Sequence, residues 1–140
     1  MKQGILLDTG PLVAFLNGRD RYHEWAKAQF ADIRPPLWTC EAVLSEACFL
    51  LRQSRSGPAA IIELLERSLI ELPFRLEVDP RAVRNLLVRY ASVPMSLADA
   101  CLVRMSEAHS NSTVLTLDGD FRIYRRSGRQ VIPLRIPDGL

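Results

Sequence analysis

The chain of 140 residues is 48% hydrophobic and 24% charged, a size and balance that suit one self-folding domain and exclude an intrinsically disordered polymer. Its formal charge of +2 is too small to advertise a nucleic-acid partner. Three cysteines without a paired C-x-x-C spacing, and no window near the ~20 apolar residues of a membrane span, exclude a disulfide scaffold and a transmembrane protein and point to a reducing cytoplasm.

The first element is the apolar run Gly4 to Leu7, closed by Asp-Thr-Gly-Pro. It reads as a buried strand leading into a helix with Pro11 in its first turn. Helical periodicity follows from Arg21 to Ile33, and a short strand is expected at Leu37 to Thr39. Further helices are predicted over Cys40 to Gln53 and Pro58 to Leu69, then a strand at Leu76 to Val78. The last part of the chain predicts helices over Pro80 to Tyr90 and Leu97 to Ser110, and strands at Thr113 to Leu117 and Gln130 to Ile132. Pro35-Pro36, Gly57, Pro73 and Pro94 punctuate these segments. Strands that alternate with helical connections build a parallel sheet covered on both faces, a doubly wound α/β sandwich whose ligands bind beyond the carboxyl ends of the strands.

Four acids stand in places that call for explanation. Asp8 ends the first strand, at the ligand edge of such a sheet, although an aspartate there is also a good helix cap. Glu46 has Ala42, Val43, Phe49 and Leu50 as its helical neighbours, so it is expected on an apolar face, where a carboxylate is costly unless paired. Glu63, flanked by Glu66 and Arg67, shows what an ordinary solvated glutamate looks like. Asp99 repeats the Glu46 pattern among Met95, Ser96, Leu102 and Val103; the alternative is a first-turn aspartate favoured by the helix dipole. Asp118 ends the second apolar strand, with Asp120 as its possible replacement and an Asp-Gly turn as the plain alternative. Carboxylates that converge must raise one another's pKa or recruit a cation, and an all-oxygen set favours Mg²⁺ or Mn²⁺.

The segments ILLDTGPLVAFLN, CEAVLSEACFLL, MSLADACLVRMSEAH and VLTLDGDF, in this order and spacing, resemble the four acidic motifs of PIN-domain nucleases, and closely so the VapC-like toxins of toxin–antitoxin pairs. The resemblance spans essentially the whole chain as a single domain, 1–140. It implies a three-layer α/β/α sandwich with a short parallel sheet, divalent-metal-dependent endoribonuclease activity, a homodimer, and an antitoxin that obstructs the acidic pocket. Carried over by position, Asp8, Glu46 and Asp99 match the three strongest acids and Asp118 the more variable fourth, as catalytic and metal-holding groups. Thr9 and Thr116 match hydroxyl residues that flank the site.

Other residues invite functional readings beside ordinary ones. Arg122, Arg125, Arg126 and Arg129 could hold RNA phosphates or form a solvated face. His23 could serve as a base, while His109 suits a helix C-terminus. Trp25, Trp38 and Phe121 could stack on bases but fit core packing better. A phosphoaspartyl receiver, which needs a paired acid near the first strand and a suitably placed lysine, is disfavoured, as is a phosphatase, because Thr9-Gly10 stand where its D-x-D motif would be. The competing class is a catalytically inactive scaffold of the same fold that binds RNA or protein.

Overall fold

The computed structural model describes residues 3–140. Gly4–Leu7 forms β1, every residue of it buried. Two helices, α1 (Thr9–Leu16) and α2 (His23–Asp32), lead to β2 (Leu37–Trp38). Then come α3 (Glu41–Leu50), α4 (Gly57–Glu66) and β3 (Ile70–Glu71). After them α5 (Pro80–Arg89) and α6 (Leu97–Ala108) lead to β4 (Ser112–Leu115), which is also buried throughout. A short antiparallel ribbon of β5 (Arg125–Arg126) and β6 (Gln130–Val131) precedes β7 (Leu134–Arg135).

The main sheet has the order β3-β2-β1-β4-β7 and all its pairings are parallel. The chain builds outward from β1 to β2 and β3, then returns to the other side of β1 to lay down β4. Right-handed crossovers therefore place α1 to α4 on one face and α5 and α6 on the other. The reversal opens a crevice beyond the carboxyl ends of β1 and β4, the position where doubly wound sheets bind ligands. This is the three-layer sandwich expected from the sequence.

Register around that crevice is tightly specified. Leu7 pairs with Leu115, the Asp8 amide donates to the Leu115 carbonyl at 3.0 Å, and the Thr39 hydroxyl donates to the Leu7 carbonyl at 2.7 Å. Helix α6 is buried on most of its circumference, from Ala98 to Ser106, as befits a helix wedged between sheet and neighbours rather than lying on a surface. Cys40 and Cys101, both buried free thiols, lie where the start of α3 packs on α6.

Three expectations need correction. Leu76–Val78 is a 3-10 turn, not a strand. Its apparent alternation has no buried face, with Leu76 and Val78 both exposed. The strand of that region is β3, at residues that periodicity assigned to no element. Helix α4 stops early because Ser68 adopts φ 57°; Leu69 N–H then bonds the Leu64 carbonyl and Ser68 N–H the Leu65 carbonyl, each at 3.0 Å, which is a Schellman cap with serine in the left-handed position. Finally, Gln130 to Ile132 does not join the main sheet. Ser127 and Gly128, with φ of 50° and 83°, fold it back on β5, and β7 supplies the fifth parallel strand instead.

The sheet also explains Gly4. A β-carbon there would lie 2.5 Å from the Trp38 ring, and that ring is itself packed on His109 with centroids 4.8 Å apart. Gly4→Ala is expected to destabilise the fold by about 1–3 kcal/mol through overpacking, read as a lower denaturation midpoint at unchanged slope; an unchanged midpoint would show that the ring moves aside freely.

Candidate active site at the carboxyl edge of the sheet

Asp8 leaves β1 at the carboxyl edge of the sheet and caps α1, so the expected position and the plain capping role coincide. Its Oδ1 accepts from the Thr9 amide at 2.8 Å, and its Oδ2 accepts from the Thr116 hydroxyl at 2.6 Å. Thr116 follows β4 directly and is level with Asp8 because β1 and β4 are paired in register. The same hydroxyl accepts from the Asp118 amide at 2.9 Å, and Asp118 Oδ1 accepts from the Asp120 amide at 2.9 Å. One threonine thus orders two acids.

Asp99 stands in the first turn of α6, where the Ser96 hydroxyl accepts its amide at 3.0 Å. Its carboxylate is held by Ser96 in return, the reciprocal arrangement of a capping box. The Asp99 Oδ2 also accepts from the Tyr124 hydroxyl at 2.8 Å. Glu46 arrives from α3 and accepts from the Thr9 hydroxyl at 2.9 Å.

Glu46 departs from the sequence expectation in one respect. It is exposed, and its helical neighbours Phe49 and Leu50 are 61% and 53% exposed. Val43 packs into the core, but Phe49 and Leu50 face outward, and Glu46 lines a groove of about 1230 Å³ together with Phe49, Phe74 and Leu97. Desolvation therefore does not account for Glu46; its bond to Thr9 at the mouth of the crevice does.

Asp8 and Asp99 are the desolvated pair, 6% and 9% exposed. Burial pushes the Asp8 carboxyl up to about 7, against the pull of its bonds to Thr116 and Thr9, and the charges of Asp99 and Asp118 add to the rise. Burial likewise raises Asp99, opposed by Tyr124 and reinforced by Asp118. Among the described residues the ion pairs lie elsewhere, and no arginine, lysine or histidine neutralises these acids. Asp120 faces Tyr124 electrostatically, whereas Asp118 acts on Asp8, Asp99 and Tyr124.

No three acid, histidine or cysteine side chains among the described residues form a ready-made ligand cluster. Hard divalent ions nevertheless suit what is present: Mg²⁺ keeps several waters and takes only one or two carboxylates directly. Buried, mutually repelling carboxylates with no basic partner are the donors such an ion neutralises.

The remaining candidates separate clearly. Arg125 directs its guanidinium to the carbonyls of Arg122, Ile123 and Tyr124. Arg126 reaches the Ser106 carbonyl at 3.5 Å, and Arg122 bonds the Leu140 carbonyl at 2.9 Å. These bonds commit Arg125 and Arg126 to the local fold, while Arg122 and Arg129 are exposed. His23 bonds the Ala14 carbonyl at 2.7 Å and braces α2 against α1. Phe121 is fully buried. Sequence reasoning missed Tyr124, whose only signal was a large aromatic close after the fourth acidic motif.

The raised Asp8 pKa carries a sign that can be checked. Between its unfolded value near 4 and about 7, folded metal-free protein holds a proton that the unfolded chain releases, so stability falls as pH rises through this window. The protein in EDTA is expected to melt several degrees higher at pH 5 than at pH 8, and Asp8→Asn to shrink that difference; calorimetry showing the reverse slope would refute the assignment.

The family description of the PIN domain matches residues 5–127. None of the curated proteins matches significantly. Among solved structures, VapC20 of Mycobacterium tuberculosis, described as a sarcin-ricin loop cleaving toxin, superposes with a TM-score of 0.71 at 22% identity, over 84% of this chain and 92% of that one.

Proposed function

The chain belongs to the PIN-domain family, and from that premise we propose that it is a divalent-metal-dependent endoribonuclease, the toxin of a toxin–antitoxin pair. The observation that carries this reading is the pair of buried acids, Asp8 and Asp99, facing Asp118 without a basic partner at the sheet's switch point. The likeness to a toxin that cleaves the sarcin-ricin loop supports RNA as the substrate class.

Asp8, Asp99 and Asp118 would hold the cation, with Glu46 joining from the rim. A bound Mg²⁺ or Mn²⁺ supplies Lewis-acid polarisation of the scissile phosphate and compensates charge in an in-line displacement. The chain's own part is orientation. Thr116 fixes Asp8 and Asp118 together, Thr9 brings Glu46 toward Asp8, and Ser96 holds Asp99. Ionised Asp8 is required for this set, so its protonation below about pH 7 opposes metal loading.

The groove beside Glu46, with Phe49 and Leu97 exposed on it, supports a macromolecular partner at the mouth of the site, and an antitoxin seated there would obstruct it. A homodimer is part of the same proposal. No helix among the described residues is long and apolar enough to cross a membrane.

Purified protein with Mg²⁺ or Mn²⁺ is expected to cut structured RNA. Asp8→Asn and Asp99→Asn should each lower the rate by on the order of 100-fold or more, the loss of several kcal/mol of charge stabilisation, while the fold is retained. Undiminished cutting by these variants would remove the site assignment. RNA binding without cleavage by the wild-type chain would favour the inactive binding scaffold.

A further inference from the structure

Each of the three firmest acids accepts from a hydroxyl: Asp8 from Thr116, Glu46 from Thr9 and Asp99 from Tyr124. All three bonds cross between elements: Thr116, after β4, reaches Asp8 at the end of β1, and Thr9 on α1 reaches Glu46 on α3. Tyr124 differs in where it stands, because it reaches Asp99 on α6 from the segment that carries Asp118. That segment is a tight turn beginning at Asp118. Phe121 N–H bonds the Asp118 carbonyl at 3.2 Å, and the Ile123 and Tyr124 amides bond the Asp120 carbonyl at 2.9 and 3.2 Å. The Tyr124 ring is fully buried and fixed edge-on against Phe121 and Tyr90, at centroid distances of 5.2 and 5.0 Å. A rigid ring on a rigid turn leaves its hydroxyl one place to go.

We propose that Tyr124 is a positioning residue of the acidic site: its hydroxyl ties Asp99 on α6 to the turn that carries Asp118, and so sets the spacing of these two acids for the cation. The inference rests on the metal-dependent reading above. Ligand-orienting hydrogen bonds of this kind are worth 10- to 100-fold in metal affinity. Ser96 already caps the helix through Asp99, so the role of Tyr124 lies in the link between elements rather than in forming α6.

Tyr124→Phe keeps the ring and removes the link. Tyr90→Phe is the matched control: it deletes a hydroxyl of the same aromatic cluster, one that accepts from the Arg125 amide at 2.9 Å and does not touch an acid. Titration with Mn²⁺ alone, followed by calorimetry, is expected to show affinity at least ~10-fold weaker in Tyr124→Phe and unchanged in Tyr90→Phe. Equal affinity in Tyr124→Phe and wild type overturns the proposal, as does equal weakening in both variants. A wild-type chain that binds neither Mn²⁺ nor Mg²⁺ defeats the metal-dependent reading itself and takes this proposal with it. If Tyr124→Phe does not fold, the ¹³Cζ resonance of Tyr124 in wild-type protein decides: it should move on adding Mg²⁺, and a stationary signal overturns the proposal.

Discussion

The structure depends on keeping like-charged groups close together at a dry sheet edge. Asp8 and Asp99 are buried, repel each other and Asp118, and have no cationic partner among the described residues. A fold can hold such groups only by surrounding them with donors that favour the charged form. The Thr116 and Tyr124 hydroxyls and the Thr9 and Asp120 amides do this, placed by the register of β1 against β4, by the first turn of α1 and by the turn that begins at Asp118. A slip of one residue in that pairing would turn Thr116 away from Asp8.

Much of this was legible in the residues. The two central strands are four-residue runs buried on both faces, and continuous apolar patterning identifies such strands well. Asp8, which ends β1, was therefore placed correctly, whereas β4 stops at Leu115 and leaves Asp118 on the turn that follows. The edges of the sheet were harder, because β3 and β7 are two residues long, too short to produce a period. Leu76 to Val78 alternates as a strand does, yet nothing packs on it. Glu46 shows a related failure: helical spacing reveals which residues share a face, but not whether that face meets the core or an open groove. Tyr124 lay beyond reach for a third reason, since its bond to Asp99 joins segments whose proximity only the tertiary fold creates.

The arginines illustrate how one cluster in the sequence divides on folding. A dense basic stretch near the fourth acid suggests phosphate binding, but Arg125 and Arg126 donate to backbone carbonyls and close the turn and ribbon that follow Asp118. Five fixed donors make arginine as useful for satisfying carbonyls as for gripping anions. Their contribution to the site is indirect, through the turn that carries Tyr124.

The order in which the sheet is laid down also has a temporal meaning. β1 is made first, but its partner β4 begins only at Ser112, and the bond that pins Asp8 spans 108 residues of sequence. While the chain is being translated, an emerging segment that ends before Asp118 carries Asp8 without the strand that orders it. The crevice can close only after β4 has cleared the exit tunnel. Assembly of the acidic site is thereby deferred, by topology alone, until the segment through Asp118 has been synthesised.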